Sequence, residues 1–342
     1  MAGKSPALIL TMLPLARYRF HVRATTPLNL PEWPGSALRG AFGHALRKLA
    51  CMTRQKECSD CPLHGTCPYP AIFAPPPVAH RLQNFSQPPA PYVIEPAGWG
   101  ARHLATGESH YFDMVLVGRA LRELPLIALA WRHALHSGIG PGDGRAELAA
   151  IGQLALDGSE HTIYTPESGN FMEHETAAPQ PPAGVDRITL DLLSPLRLQE
   201  NGRALPPNRL TAEVLLMASV RRASLMAEFH GMGAPSWDFL ALKIAAAAVD
   251  GEKQLKWQDW TRRSSRQQKL MQLGGVVGRW TLRGNLAPFI PALHLGQWLH
   301  VGKETVFGLG RYVLTHKPAP SPEDPERSRQ ALDLQNEVDV PQ

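Results

Sequence analysis

LARYRFHVRAT, residues 15–25, and SALRGAFGHALRKLA, residues 36–50, are separated by a break at Trp33-Pro34-Gly35. The first run is rich in strand formers, and Ser36 stands where a helix N-cap belongs. In the second run Leu38, Ala41, Phe42, Ala45, Leu46 and Leu49 recur at helical spacing, while Arg39, Gly40, Gly43, His44, Arg47 and Lys48 share the other side. A strand feeding an amphipathic helix is the expected opening. Tyr92–Glu95 and His110–Val117 then read as strands, Leu121–His136 as a helix and Glu147–Leu156 as a strand, giving the order β-α-β-β-α-β. After a polar loop with Pro166, Pro179, Pro181 and Pro182 the pattern restarts. Arg187–Leu198 reads as a strand, Thr211–Phe229 as a helix closed by Gly231, and Trp237–Val249 as an extra helix. Lys256–Trp260 and Val276–Leu282 are strand candidates, Leu286–Leu299 a helix and Thr305–Leu314 a strand behind a glycine loop. The expected fold is α+β: tandem ferredoxin-like (RRM-like) domains with a cysteine-rich metal-binding insertion. Its parts are 1–165 with the insertion at 51–67, a linker at 166–186, a second domain at 187–316 and a disordered acidic tail at 317–342.

Composition agrees with that plan. A chain of 342 residues, 44% hydrophobic and 19% charged, can bury two cores. Its 32 prolines and 29 glycines follow no repeat, which excludes collagen-like and coiled-coil classes. Net charge is +5, but Pro318–Gln342 carries −4, so the remaining body is +9 and suits a polyanionic partner. The apolar run Ala7–Ala16 has the length of a signal-peptide core, yet Pro14 and the following RYRFHVRA, without a small-residue cleavage site, read better as the approach to a strand. Nothing nears the roughly 20 apolar residues of a membrane span, so no membrane partner and a cytoplasmic location are expected.

All four cysteines, Cys51, Cys58, Cys61 and Cys67, fall in one segment spaced C-x6-C-x2-C-x5-C. A central C-x2-C lets two thiolates chelate one tetrahedral ion, so a reduced structural metal site is preferred over four core thiols. Zinc is the first choice, with an iron–sulfur cluster left open by the spacing alone. Four thiolates leave no open position for catalysis.

The most basic stretch is Glu252–Arg283. It includes Lys253, Lys256, Arg262, Arg263, Arg266, Gln267, Lys269, Arg279 and Arg283, interleaved with Trp257, Trp260 and Trp280. Such a segment can neutralise phosphates while its rings stack on bases; the competing reading is a solvated surface over core tryptophans. In HVGKETVFGLGR, residues 300–311, Gly302, Gly308 and Gly310 permit close approach of backbone N–H groups to a phosphate, with Lys303 and Arg311 adding charge. A plain turn is the competing reading.

GSALRGAFGHALRKLAC, followed by clustered cysteines, resembles the N-terminal part of precursor-CRISPR-RNA-processing endoribonucleases of the RAMP superfamily. The runs RRSSRQ, LGGVVGRW and HVGKETVFGLGRY are similar to that family's closing half, and the resemblance spans roughly residues 15–315. It implies two ferredoxin-like domains, binding of CRISPR repeat RNA, and a metal-independent cut by 2′-hydroxyl attack that leaves a guide RNA. A histidine in or near the first helix is implied as catalytic, which selects His44 with Lys48 and Arg47 one turn away and Arg39 on the same side. His21, His230 and His300 are the fallbacks, with Tyr18 as a possible assistant. A catalytically silent RNA-binding subunit beside other CRISPR effector subunits is the second reading, and a generic zinc-containing RNA-binding protein the third.

Overall fold

The computed structural model describes residues 13–316 except 77, 80–83, 86, 87, 156, 184, 234 and 265–268. Strand β1 (Leu15–Ala24) alternates buried and half-open positions, so Tyr18, Phe20 and Val22 enter a core while Arg17, Arg19, His21 and Arg23 face the other side. It pairs antiparallel with β3 (Ser109–Val117) and β4 (Ala146–Leu154), setting Phe20 opposite both Phe112 and Ile151. Strands β2 (Tyr92–Pro96) and β5 (Glu160–Tyr164) complete a sheet of order β2-β3-β1-β4-β5. Helices α1 (Gly35–Ala50) and α2 (Leu124–Ser137) cover the Tyr18–Phe20 face, where Phe42 stacks on Trp131 at 5.1 Å.

The second half repeats this order. Strands β6 (Arg187–Leu196), β7 (Asp250–Gln258), β10 (Gly275–Arg283) and β11 (Tyr312–His316) form an antiparallel sheet of order β7-β10-β6-β11. It is packed by α3 (Ala212–His230) and α5 (Ile290–Leu299), with α4 (Phe239–Ala247) against α3. A separate ribbon joins β8 (Thr261–Ser264) to β9 (Lys269–Gln272). Leu13, Leu15, Val93, Val115 and Val117 of the first half belong to the core of the second, so the two cores meet. Strand β1, starting at Leu15, bears out the reading of Pro14 and RYRFHVRA as the approach to a strand. Residues 1–12 and the acidic tail 317–342 lie outside the described residues.

Several expectations need correction. Helix α1 starts at Gly35 with Pro34 as its N-cap and no side-chain cap bond, so Ser36 is not the cap. Thr305–Leu314 is not one strand. Thr305–Phe307 is a 3-10 turn flanked by Glu304 and Gly308 at positive φ, which breaks the extended run before β11 begins at Tyr312. Within the proline-rich stretch 166–186 Phe171 stacks on Tyr164 at 4.6 Å, the Met172 amide donates to Ile163, and Val185 is buried.

One glycine shows how tightly α1 is seated. A Cβ at Gly43 would lie 2.2 Å from Cζ of Phe73, a ring held between Tyr69 and Tyr92. Gly40, one turn earlier, faces open space. Gly43→Ala is expected to destabilise the protein by about 1–3 kcal/mol through overpacking, and Gly40→Ala to stabilise it by about 0.5–1 kcal/mol through helix propensity. Denaturant unfolding of the two variants checks both signs.

Candidate nucleic-acid interface

The outer face of α1 carries its polar residues as the periodicity predicts. His44 and Lys48 are exposed, and neither side chain is bonded to another among the described residues. Arg47, between them, donates to the carbonyls of Gln55 at 2.8 Å and Lys56 at 2.5 Å, so it clamps the following loop. Arg39 lies half-buried with its guanidinium 4.3 Å from the centre of the Phe73 ring. An open groove of about 610 Å³ runs between this helix and the loop, lined by His44, Arg47, Lys48, Cys51, Arg54, Gln55 and Lys56.

On the other side of that loop Cys51, Cys58, Cys61 and Cys67 line one small pocket with Glu57 and His64. The turn is closed by Cys61 N–H to the Cys58 carbonyl at 3.2 Å and Cys67 N–H to that of Leu63 at 2.8 Å. Burial pushes the Cys58 thiol up, Arg47 opposes, and the other three cysteines push it further. The donors are those a soft divalent ion prefers. Among the described residues, however, no three of His, Cys, Asp or Glu converge closely enough to hold an ion.

The helix-free face of the first sheet carries a second constellation. His21 Nε2 lies 2.5 Å from Glu160, whose carboxylate occupies the space a Cβ at Gly152 would fill. Beside it Arg19 pairs with Asp113 at 2.8 Å and lies 4.1 Å from the Tyr111 ring centre. Tyr18 is on the opposite, buried face. His174 Nδ1 faces the Met172 carbonyl, so Nδ1 donates there and Nε2 accepts the Tyr18 hydroxyl at 2.8 Å. Burial holds that phenol well above its ordinary pKa.

Between the halves sits a buried carboxylate. Glu95 on β2 is fully buried, 2.9 Å from Arg17 of β1, 3.6 Å from Arg311 and 2.8 Å from His300 Nε2. Burial alone would raise its pKa, but the two guanidiniums and the His300 bond hold it well below the carboxylate range. His300 is itself fully buried, with Nδ1 3.1 Å from the Leu309 carbonyl. Burial pushes its pKa down against the pull of Glu95, and both of its ring nitrogens face oxygen acceptors, Nε2 the Glu95 carboxylate and Nδ1 the Leu309 carbonyl. His230 is half-buried, donating to the Pro89 carbonyl at 2.6 Å, with its pKa pushed down by burial to about 4.

The glycine loop is a plug and not a cradle. Gly308 and Gly310 are buried, and their amides donate to the carbonyls of Thr305 and Pro195. A Cβ at Gly310 would lie 1.9 Å from the Val301 carbonyl oxygen, and one at Gly302 2.6 Å from that of Arg197. The close approach these glycines allow is to the protein's own backbone. Lys303 is exposed, and Arg311 is drawn to Glu95. In the basic stretch Trp260 and Trp280 are core residues, leaving Trp257 as the partly exposed ring. Arg262, Arg263 and Lys269 lie on the β8–β9 ribbon, while Arg266 and Gln267 lie outside the described residues. Sequence reasoning missed Arg17, Glu95 and Glu160, whose only signal is alternation along a strand.

Residues 190–312 match the family described as CRISPR-associated endoribonuclease Cas6, and residues 13–176 match AF_1859_N, an N-terminal domain. No curated protein matches the chain. Among solved structures it is similar to a partial Cas6-RT-Cas1–Cas2 complex at 15% identity and a TM-score of 0.57, covering 100% of this chain and 56% of that one. It is also similar to a Cas6 product complex at 14% identity and a TM-score of 0.53, covering 88% of this chain and 99% of that one. In a further Cas6-RT-Cas1–Cas2 complex the chain spans 35% of its counterpart's length.

Glu95→Gln leaves two guanidiniums beside a neutral buried amide and is expected to cost about 3–5 kcal/mol at neutral pH. Because the folded pKa is depressed, the carboxylate's contribution is full above the unfolded value of about 4.3 and is lost as pH falls below it. Denaturant unfolding of both proteins from pH 7 to pH 3 should show the gap narrowing below about pH 4.

Proposed function

From the chain's membership of the precursor-CRISPR-RNA-processing family of the RAMP superfamily, we propose that it binds CRISPR repeat RNA and cuts it once to release a guide RNA. The observation that carries this reading is the match of residues 190–312 to an endoribonuclease family. The strand order of both sheets supports reading the halves as ferredoxin-like domains, 1–165 and 187–316. The similarity to Cas6-RT-Cas1–Cas2 assemblies supports further CRISPR proteins as partners.

The 2′-hydroxyl beside the scissile phosphate is the nucleophile. As it forms the new P–O bond it loses its proton, the bond to the 5′-oxygen breaks, and that oxygen takes up a proton. The products are a 2′,3′-cyclic phosphate and a 5′-hydroxyl. His44 is the group for proton transfer, and Lys48, one helical turn away, is the cation for charge developing on the phosphorane. Arg47 is committed to the loop carbonyls and supports the site through them. His21 is the alternative, favoured by its bond to Glu160 and the nearby Arg19.

The deciding experiment incubates the protein with repeat RNA in EDTA. Cleavage to a cyclic phosphate, blocked by a 2′-deoxy sugar at the scissile position, is expected. His44→Ala should lower the rate about 10²- to 10⁴-fold with little change in affinity. Full activity in that variant and loss of it in His21→Ala would move the proton transfer to the sheet face. Tight binding without any cut would establish the silent subunit instead.

We further propose that Cys51, Cys58, Cys61 and Cys67 close around one structural zinc ion, supported by the single pocket they share. About one zinc per chain is expected in protein purified without added metal. Cys58→Ser with Cys61→Ser should lose the ion and lower the thermal midpoint. A folded, metal-free preparation overturns this assignment.

A further inference from the structure

The loop between α1 and the thiol pocket sorts its charges. Glu57 lines the pocket with the four cysteines, whereas Arg54 and Lys56 line the groove with His44 and Lys48. Both basic side chains are exposed. Their placement is imposed by the backbone. Arg54 sits at φ +54°, a left-handed conformation that a long side chain adopts only where its surroundings require it. The next two carbonyls, those of Gln55 and Lys56, are both held by the Arg47 guanidinium from the helix. The helix thus fixes the loop, and the loop presents two cations across the groove from the helix's own exposed residues.

We propose that this groove is a phosphodiester-binding site in which Arg54 and Lys56 hold the backbone of the RNA, next to the scissile region that His44 and Lys48 serve. The inference rests on the RNA-cutting reading above and adds a role for the cysteine segment. That segment supplies part of the RNA-contact surface and is more than a staple. Two point charges opposite a third on α1 suit successive phosphates of a single strand, because each contact releases a condensed counterion. Base identity is not read at such a site. Arg47 is a positioning residue here, since its guanidinium is occupied by carbonyls.

The test measures affinity of the full chain for repeat RNA across a salt series, with single-turnover cleavage alongside. Arg54→Gly removes the side chain and relieves the left-handed backbone, so folding is preserved; it is combined with Lys56→Ala. The double variant should bind about tenfold more weakly, with a salt slope lower by about two, one for each lost phosphate contact. Arg47→Ala should weaken binding in the same direction, and adding it to the double variant should weaken it little further. Arg122→Ala with Arg203→Ala, two exposed cations elsewhere, controls for bulk charge. Equal losses in the control and the groove variant, or unchanged affinity and slope in the groove variant, would overturn the inference while wild-type cleavage still upholds the enzyme. Wild-type protein that neither binds nor cuts repeat RNA would instead remove the underlying reading.

Discussion

A single carboxylate without solvent contact governs how the two halves meet. Glu95 stands on an inner-facing position of β2, and its charge is tolerable only because Arg17, Arg311 and His300 surround it. Arg17 comes from the first sheet and the other two from the second half, so the ionic cluster and the relative placement of the sheets are one constraint. The same cluster anchors the glycine loop. His300 faces the Leu309 carbonyl, Ser194 Oγ donates to Gly308 and accepts from the Arg311 amide, and Trp33 Nε1 donates to Phe307. Each is a buried polar group with a defined partner, and none can be shifted without orphaning another.

The body's positive charge is also less available than its count suggests. Arg17, Arg19, Arg23, Arg279 and Arg283 are paired with carboxylates. Arg222 is half-buried against the Leu299 carbonyl, with its pKa pushed down by burial to about 10. On α1 and the loop after it Lys48, Arg54 and Lys56 are exposed beside His44. Location therefore discriminates between surfaces better than net charge does.

The element order was legible wherever a periodic apolar face could be counted. Leu38, Phe42, Ala45 and Leu46 are buried and His44 and Lys48 exposed as helical spacing requires. The clustering of the cysteines was also legible, since sequence proximity placed them in one pocket. The pairing of Arg17 with Glu95 spans 78 positions and is fixed only by the register of β1, β3 and β2. Local composition could not separate glycines that admit a ligand from glycines that admit a neighbouring carbonyl, and Gly302, Gly308 and Gly310 proved to be the second kind. Tryptophans interleaved with arginines look alike whether stacked or buried; Trp280 is buried on β10 and Trp260 in the link between β7 and β8.

The bond from Trp33 to Phe307 joins positions 274 apart. During synthesis the N-terminal sheet emerges long before the segment that covers Leu15 and brings His300 and Arg311 to Glu95, so for that interval an apolar patch is bare and Glu95 has only Arg17 of that cluster beside it. At about 5–20 residues per second the wait from β2 to Tyr312 lasts on the order of 10 to 40 seconds. Closure by contacts of such long sequence separation is slow in its own right. The nascent N-terminal half is therefore the state of this protein most in need of a chaperone, and slow codons ahead of β11 would lengthen the exposure.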